Sequence, residues 1–240
     1  MPVGVPQIPY QVPDDEDASW LDLYNGLSRE RVLFLFQELN TEVTNQLVGL
    51  MVFLTIEDNT QEQFIMINSN GGALLHGISI HNTIGVLEPD IYTVCLGIAA
   101  STASFILAGG TLTKRIAFPH SRVMIHQPRA VFTKDKDKDE DKDRLKRKKK
   151  PKKKPRRRKR PKFWEKDENE DILRDAQLVK DLRYEMASFY AARSSTHSVA
   201  EIYALMERDT FMTPAEAKDF GIVDAVGVSE FSEYEEAEEE

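Results

Sequence analysis

Apolar residues recur along this chain in two alternating rhythms. Short unbroken runs predict buried strands at Arg31-Val32-Leu33-Phe34-Leu35-Phe36, Phe64-Ile65-Met66-Ile67 and Ile91-Tyr92-Thr93-Val94-Cys95-Leu96. Between the first two, Val43, Leu47, Leu50, Met51 and Leu54 fall three or four apart, which predicts a helix from Val43 to Ile56 with Thr41 as its N-cap. A second helix is predicted over roughly 73–87, closed by Pro89. A short packed helix, Ser104-Phe105-Ile106-Leu107-Ala108, follows the third strand, and two short strands follow it at 114–118 and 121–126. Late in the chain the helical rhythm returns, from near Asp171 to Tyr190 and again over about 199–207. Thr213-Pro214-Ala215-Glu216 starts a further helix with a cap, a Pro at the first position and a capping-box Glu; Gly221 ends it, and Ile222-Val223 begins a last strand. Strands that alternate with helices predict an α/β architecture.

Two stretches fall outside this rhythm. Residues 1–20, rich in Pro and Asp, read as an irregular arm. Between 133 and 170 the pattern breaks altogether: Lys134 to Asp139 alternate in sign, and a basic run with Pro151, Pro155 and Pro161 follows. Nothing in 134–162 except Leu145 suits a core, so 133–166 is expected to be a disordered, solvated insert. The expected organisation is therefore an arm at 1–20, one domain built from 21–132 and 167–228, the insert between its halves, and an acidic tail at 229–240.

Composition changes the picture mainly through charge. The net charge of −8 hides a strong segregation, because residues 144–162 hold fifteen Lys or Arg and no acid. Without them the chain carries 17 basic against 40 acidic residues, a net of −23. A length of 240 residues suits a single domain with an adequate core. The single cysteine, Cys95, rules out an internal disulfide and favours a reducing or redox-neutral compartment. The opening Met1-Pro2-Val3-Gly4-Val5-Pro6 lacks the basic and apolar regions of a targeting peptide, and no apolar run reaches the length of a membrane span.

Candidate chemistry gathers where strands give way to helices. Gly97-Ile98-Ala99-Ala100-Ser101-Thr102-Ala103 sets Ser101 at a helix start, where free N–H groups and the positive end of the helix dipole suit a nucleophile. On the heptapeptide alone, an N-cap is the simpler reading of Ser101. Asn70-Gly71-Gly72 is a second Gly-rich turn, read either as an ordinary turn or as a partner in an oxyanion hole. Neither turn has the spacing of a nucleotide phosphate loop. A nucleophilic Ser101 needs a histidine base with an orienting acid. His76 and His81 lie on a half-buried helix and His197 in a Ser-rich loop, while His120 and His126 flank one strand and stand close to even. The acid is undetermined among forty carboxylates. No Cys pair or His-x-x-x-His spacing supports a metal site.

Three motifs narrow these choices. Gly97-Ile98-Ala99-Ala100-Ser101, then Arg122-Val123-Met124-Ile125-His126-Gln127-Pro128, then Glu207-Arg208-Asp209-Thr210-Phe211 with Pro214-Ala215-Glu216-Ala217, resemble the proteolytic subunit of the Clp protease. The opening residues are most similar to its plastid-encoded form. The resemblance covers about 1–130 and 171–228. It implies the Clp/crotonase-type fold of repeated strand-strand-helix units and serine endopeptidase chemistry. Ser101 would be the nucleophile, His126 the general base and Asp209 its orienting acid, with the backbone N–H groups of Gly72 and Thr102 as the oxyanion hole. It also implies stacked sevenfold rings of like subunits, an AAA+ Clp chaperone ATPase that binds the ATP, unfolded protein substrates, the chloroplast stroma, and no cofactor or metal in this chain. The arm at 1–20 resembles the family's axial entrance segment. This chain departs from the family at Asn70, where a Pro is usual, and at Thr102-Ala103, where Met-Gly is usual.

Three other readings compete. A crotonase-class acyl-CoA enzyme shares the fold and the paired N–H donors but has no need of Ser101, His126 and Asp209 together. A structural ring subunit would be folded but weakly active because of Asn70 and Ala103. Nucleic-acid binding through 144–162 would be electrostatic and non-specific, with only Phe163-Trp164 at hand for base stacking.

Overall fold

The computed structural model describes residues 4–10, 19–128 and 168–227. The expected disordered insert at 133–166 and the acidic tail at 229–240 lie outside the described residues. The chain divides into two compact units, one formed by residues 1–127 with 184–240 and the other by residues 128–183. In the second unit the described residues are Pro128 and the first turns of a long helix, where the Gln177 side-chain amide donates to Asp181 Oδ1 at 2.7 Å.

The first unit is a mixed α/β body around a seven-stranded sheet. Strands β3 (Val32–Leu35), β4 (Gln63–Ser69), β5 (Ile91–Ala100), β6 (Arg115–Ala117) and β9 (Ala225–Val226) lie side by side in that order, all parallel. Helix α2 (Thr41–Glu57) joins β3 to β4, α3 (Leu74–Val86) joins β4 to β5, and α4 (Thr102–Gly109) joins β5 to β6. Parallel pairing needs such crossovers, which is why the strand and helix rhythms alternate in the sequence. The α/β fold expected from the pattern is the fold observed.

The long β5 organises the rest. Its first half pairs with β6, through Thr93↔Arg115 to Cys95↔Ala117. Its second half pairs with β7 (Arg122–Ile125), through Ile98↔Arg122 to Ala100↔Met124. Strand β8 (Thr210–Met212) then runs antiparallel along β7, with Ile125 opposite Thr210. The chain reaches β8 through α5 (Glu168–Arg193) and α6 (Val199–Leu205), and α7 (Pro214–Phe220) leads from it to β9.

The core lies where α2, α4 and the end of α5 meet the sheet. Leu47, Met51 and Leu54 of α2 are buried, as are Met186, Ala187 and Tyr190 of α5. Every residue of α4 is buried, as expected of a helix with apolar and small residues all round. A charged pair, Arg115 with the part-exposed Asp224, borders this core. Arg115, nearly inaccessible, donates from Nε to Asp224 Oδ2 at 2.8 Å, from Nη2 to Asp224 Oδ1 at 2.5 Å, and from Nη1 to the Gly221 carbonyl at 2.9 Å. Burial works against the Asp224 carboxylate, but the Arg115 bonds outweigh it and hold its pKa below the usual range.

Several sequence expectations need correction. Asn40, not Thr41, caps α2, its side chain accepting the Val43 N–H at 2.9 Å. The third strand does not stop at Leu96 but continues to Ala100, because β4 and β7 supply backbone partners on both sides of its small residues. The last strand is Ala225–Val226; Ile222 and Val223 are instead buried in the turn after Gly221, so hydrophobicity there reports packing rather than pairing. The arm is not irregular where it is described: β1 (Gln7–Tyr10) pairs antiparallel with β2 (Ser19–Asp22), from Gln7↔Asp22 to Tyr10↔Ser19. Helix α1 (Leu23–Arg29) follows directly, its N-cap Asp22 accepting the Asn25 N–H at 3.3 Å.

Candidate active site

Two adjacent strand ends and one branch strand form the site. At the first, β4 ends in Ser69, whose hydroxyl donates to the Gln37 carbonyl at 2.6 Å and accepts the Gly71 N–H at 3.1 Å. Leu39 N–H donates to the Gly71 carbonyl at 2.9 Å, which lays Gly72 directly against the Leu39 backbone. A Cβ on Gly72 would lie 2.3 Å from the Leu39 carbonyl oxygen, so only glycine fits there. Gly71 has φ of 88°, a conformation costly to other residues.

At the second, β5 turns into α4 within a single residue. Ser101 has φ of 57° and ψ of −124°, a strained conformation for a residue with a Cβ. Its N–H donates to the Met124 carbonyl at 2.9 Å, and its carbonyl accepts the Ser104 N–H at 3.1 Å and the Ser104 hydroxyl at 2.6 Å. Bonds on both sides of the residue thus hold the turn. The N-cap reading fails here, since the Ser101 side chain makes no capping bond to α4. Its Oγ lies instead 2.7 Å from His126 Nε2.

Strand register brings His126 to that point. Ala100 pairs with Met124, so Ser101, just past the end of β5, and His126, just past the end of β7, leave the sheet side by side. Across β7, Ile125 opposes Thr210, which sets His126 beside Asp209. Asp209 Oδ1 lies 3.2 Å from His126 Nδ1. The Gln127 N–H, donating to the Met206 carbonyl at 2.6 Å, ties the end of β7 to the loop before Asp209. His126 is mostly covered while Asp209 is 45% exposed, so this charge faces solvent on one side. A proton on Nδ1 toward Asp209 leaves Nε2 free to accept from the serine hydroxyl.

The remaining sequence candidates are elsewhere. His120 is exposed in the turn before β7. His76 Nε2 is 3.4 Å from Thr41 Oγ1, and His197 lies against Phe220 with Nδ1 2.7 Å from Thr196 Oγ1. His81 packs between Phe105 and Phe189, with ring centres 4.3 and 4.5 Å away, and desolvation lowers its pKa to about 4. Cys95 is buried, and its thiol is pushed up to about 11 by desolvation. Sequence reasoning overlooked the Thr102 side chain. Its hydroxyl accepts the Gly72 N–H at 2.9 Å and lies 3.4 Å from the Gly72 carbonyl, to which it donates. The only signal was a hydroxyl residue directly after the candidate nucleophile.

The chain matches the Clp protease family over residues 15–151 and 159–230. It is 44% identical over 228 residues to an ATP-dependent Clp protease proteolytic subunit of Lotus japonicus, covering 95% of this chain and all of that protein. Proteins of the same name from Cucumis sativus and Daucus carota are 42% and 43% identical over 95% and 96% of this chain, again over their whole length. Matches of this extent leave one assignment: the chain belongs to the Clp protease family, and its activity is that of a serine-type endopeptidase subunit.

Proposed function

We propose that this chain cleaves polypeptides through Ser101 as nucleophile, His126 as general base and Asp209 as the residue that orients His126. The observation that carries the reading is the 2.7 Å approach of Ser101 Oγ to His126 Nε2 at a strained strand-to-helix turn. Ser101 attacks the scissile carbonyl as His126 takes its proton, and the proton then passes to the leaving amine. Water hydrolyses the resulting acyl-enzyme by the reverse use of the same base. Asp209, 3.2 Å from Nδ1, keeps the imidazole in the productive tautomer and steadies its positive charge. The N–H groups of Gly72 and Thr102 hold the oxyanion; Thr102 opens α4, where N–H groups precede any intrahelical acceptor.

The subunit works in a ring assembly with a Clp ATPase, a reading supported by family membership and by the ATP dependence in its relatives' names. In finer detail, like subunits form stacked sevenfold rings, and an AAA+ chaperone hydrolyses the ATP and feeds unfolded protein into the chamber. The chloroplast stroma is its place of work, in keeping with the plant relatives. Residues 1–20 form the axial entrance arm, and 133–166 is a passenger that catalysis does not need.

Mass-spectrometric mapping of a fluorophosphonate adduct on the assembled particle tests the reading. Ser101 is expected to carry the adduct, and Ser101→Ala to reduce peptide cleavage to background with assembly intact. Wild-type cleavage rates in the alanine variant would overturn the assignment.

A further inference from the structure

Resting on the reading of Ser101 as nucleophile and Gly72 as oxyanion donor, the geometry points to the Thr102 hydroxyl as a latch on the oxyanion site. One of the two donors is already engaged: the Gly72 N–H is held by Thr102 Oγ1 at 2.9 Å. The same hydroxyl lies 3.4 Å from the Gly72 carbonyl, so it clasps both polar groups of one residue. Thr102 is 3% exposed, which shelters the bond from water.

The rotamer is held from the other side. A Cβ built on Gly77 of α3 would meet Thr102 Cβ at 2.8 Å and its methyl at 3.3 Å, so Gly77 leaves only the space that Thr102 fills. The hydroxyl is thereby directed at the Gly71-Gly72 turn, where a Cβ on Gly71 would lie 2.9 Å from Oγ1. An amide N–H has one hydrogen to give. A tetrahedral oxyanion can take the Gly72 N–H only when the hydroxyl lets it go, so the resting site is partly closed. Thr102 is thus a positioning residue through its side chain, separate from the donor role of its backbone N–H.

The latch predicts a gain of activity on losing a side-chain group. Thr102→Val keeps the shape and removes the hydroxyl, Thr102→Ala removes hydroxyl and methyl together, and Thr102→Ser keeps the hydroxyl alone. The assembled complex is assayed for kcat and KM with a short fluorogenic peptide, and for the second-order rate of fluorophosphonate labelling at Ser101. The valine and alanine variants are expected to gain about fivefold in kcat and in labelling rate, the worth of one neutral hydrogen bond that no longer has to be broken. KM stays level, because only the oxyanion needs the donor fully. The serine variant keeps the hydroxyl but loses the methyl that packs against Gly77, so its rates are expected to stay below those of the valine and alanine variants. Unchanged or slower rates in whichever of the valine and alanine variants assembles would overturn the latch while leaving Ser101 chemistry intact. Failure of the wild-type Ser101 to label would remove the underlying reading, and the latch with it.

Discussion

Neighbouring parallel strands turn into helices by two different devices. The β4 end uses glycines: Gly71 takes its positive φ at little cost, and Gly72 lets the turn touch the Leu39 backbone. The β5 end uses Ser101, which adopts φ of 57° despite its Cβ. The glycine corner is shaped by what it lacks, a side chain. The serine corner tolerates strain of roughly 1–3 kcal/mol in order to present one. Of these two corners, the strained one sets a side chain against His126 and the relaxed one exposes main chain alone.

The largest expected effect separates chemistry from folding. At the serine corner, Asp209→Asn should lower kcat on the order of 10⁴-fold, the handicap measured for the wrong imidazole tautomer in a serine protease. Thermal unfolding should barely move, because Asp209 is half exposed. A variant that loses stability along with activity would show that Asp209 supports the fold instead.

The glycine corner should fail the other way. In Gly72→Ala the new Cβ would lie 2.3 Å from the Leu39 carbonyl oxygen, so the turn must shift. A loss of roughly 1–3 kcal/mol in stability is expected from overpacking. A fall of about 10²–10³-fold in kcat is expected from displacing one oxyanion donor. Denaturant titration and peptide assays read the two losses; full activity in the variant would remove Gly72 from the oxyanion site.

A smaller effect tests the strain itself. Ser101→Gly and Ser101→Ala both abolish the nucleophile, but only glycine relieves the positive φ. The glycine variant should be the more stable by about 1 kcal/mol. Equal unfolding midpoints would mean that the corner holds no strain.

A last effect, confined to acid pH, concerns the contact between the two helices that leave these corners. His81 of α3 lies against Phe105 of α4, and desolvation, reinforced by Arg193, lowers its pKa from 6.5 to about 4. The folded form binds the proton less readily than the unfolded chain. Its contribution is therefore complete above about pH 6.5 and is lost as pH falls toward 4. The melting temperature of wild type should drop more steeply across that window than that of His81→Gln. Parallel curves would place the acid sensitivity in other groups.

Much of this was legible along the chain, for a local reason. The helix at Pro214 matches its sequence signature residue by residue: the Thr213 hydroxyl accepts the Glu216 N–H at 3.3 Å, Glu216 Oε2 accepts the Thr213 N–H at 2.7 Å, and Gly221 closes the helix at φ of 94°. All the partners lie within eight residues, so local spacing suffices. Strand β8 was not legible, because three residues pairing on one edge carry no rhythm. That omission hid Asp209, which composition could not tell from the other carboxylates and which only the resemblance of its motif singled out.

Sequence alone determined the alternation of strands and helices, the glycine corner, and the placing of Ser101 where a strand meets a helix, since each depends on periodicity or on residues close in the chain. Tertiary structure sets His126 rather than His120 beside Ser101, because β5–β7 and β7–β8 register carries His126 to Ser101 and to Asp209 while His120 remains in an exposed turn. It also decided that the Ser101 hydroxyl serves no cap and that the Thr102 hydroxyl holds the Gly72 N–H across 30 positions of sequence. Local rules rank what a residue does for its own helix or turn; which distant group a side chain meets is set by strand register and packing, and only the folded chain contains those.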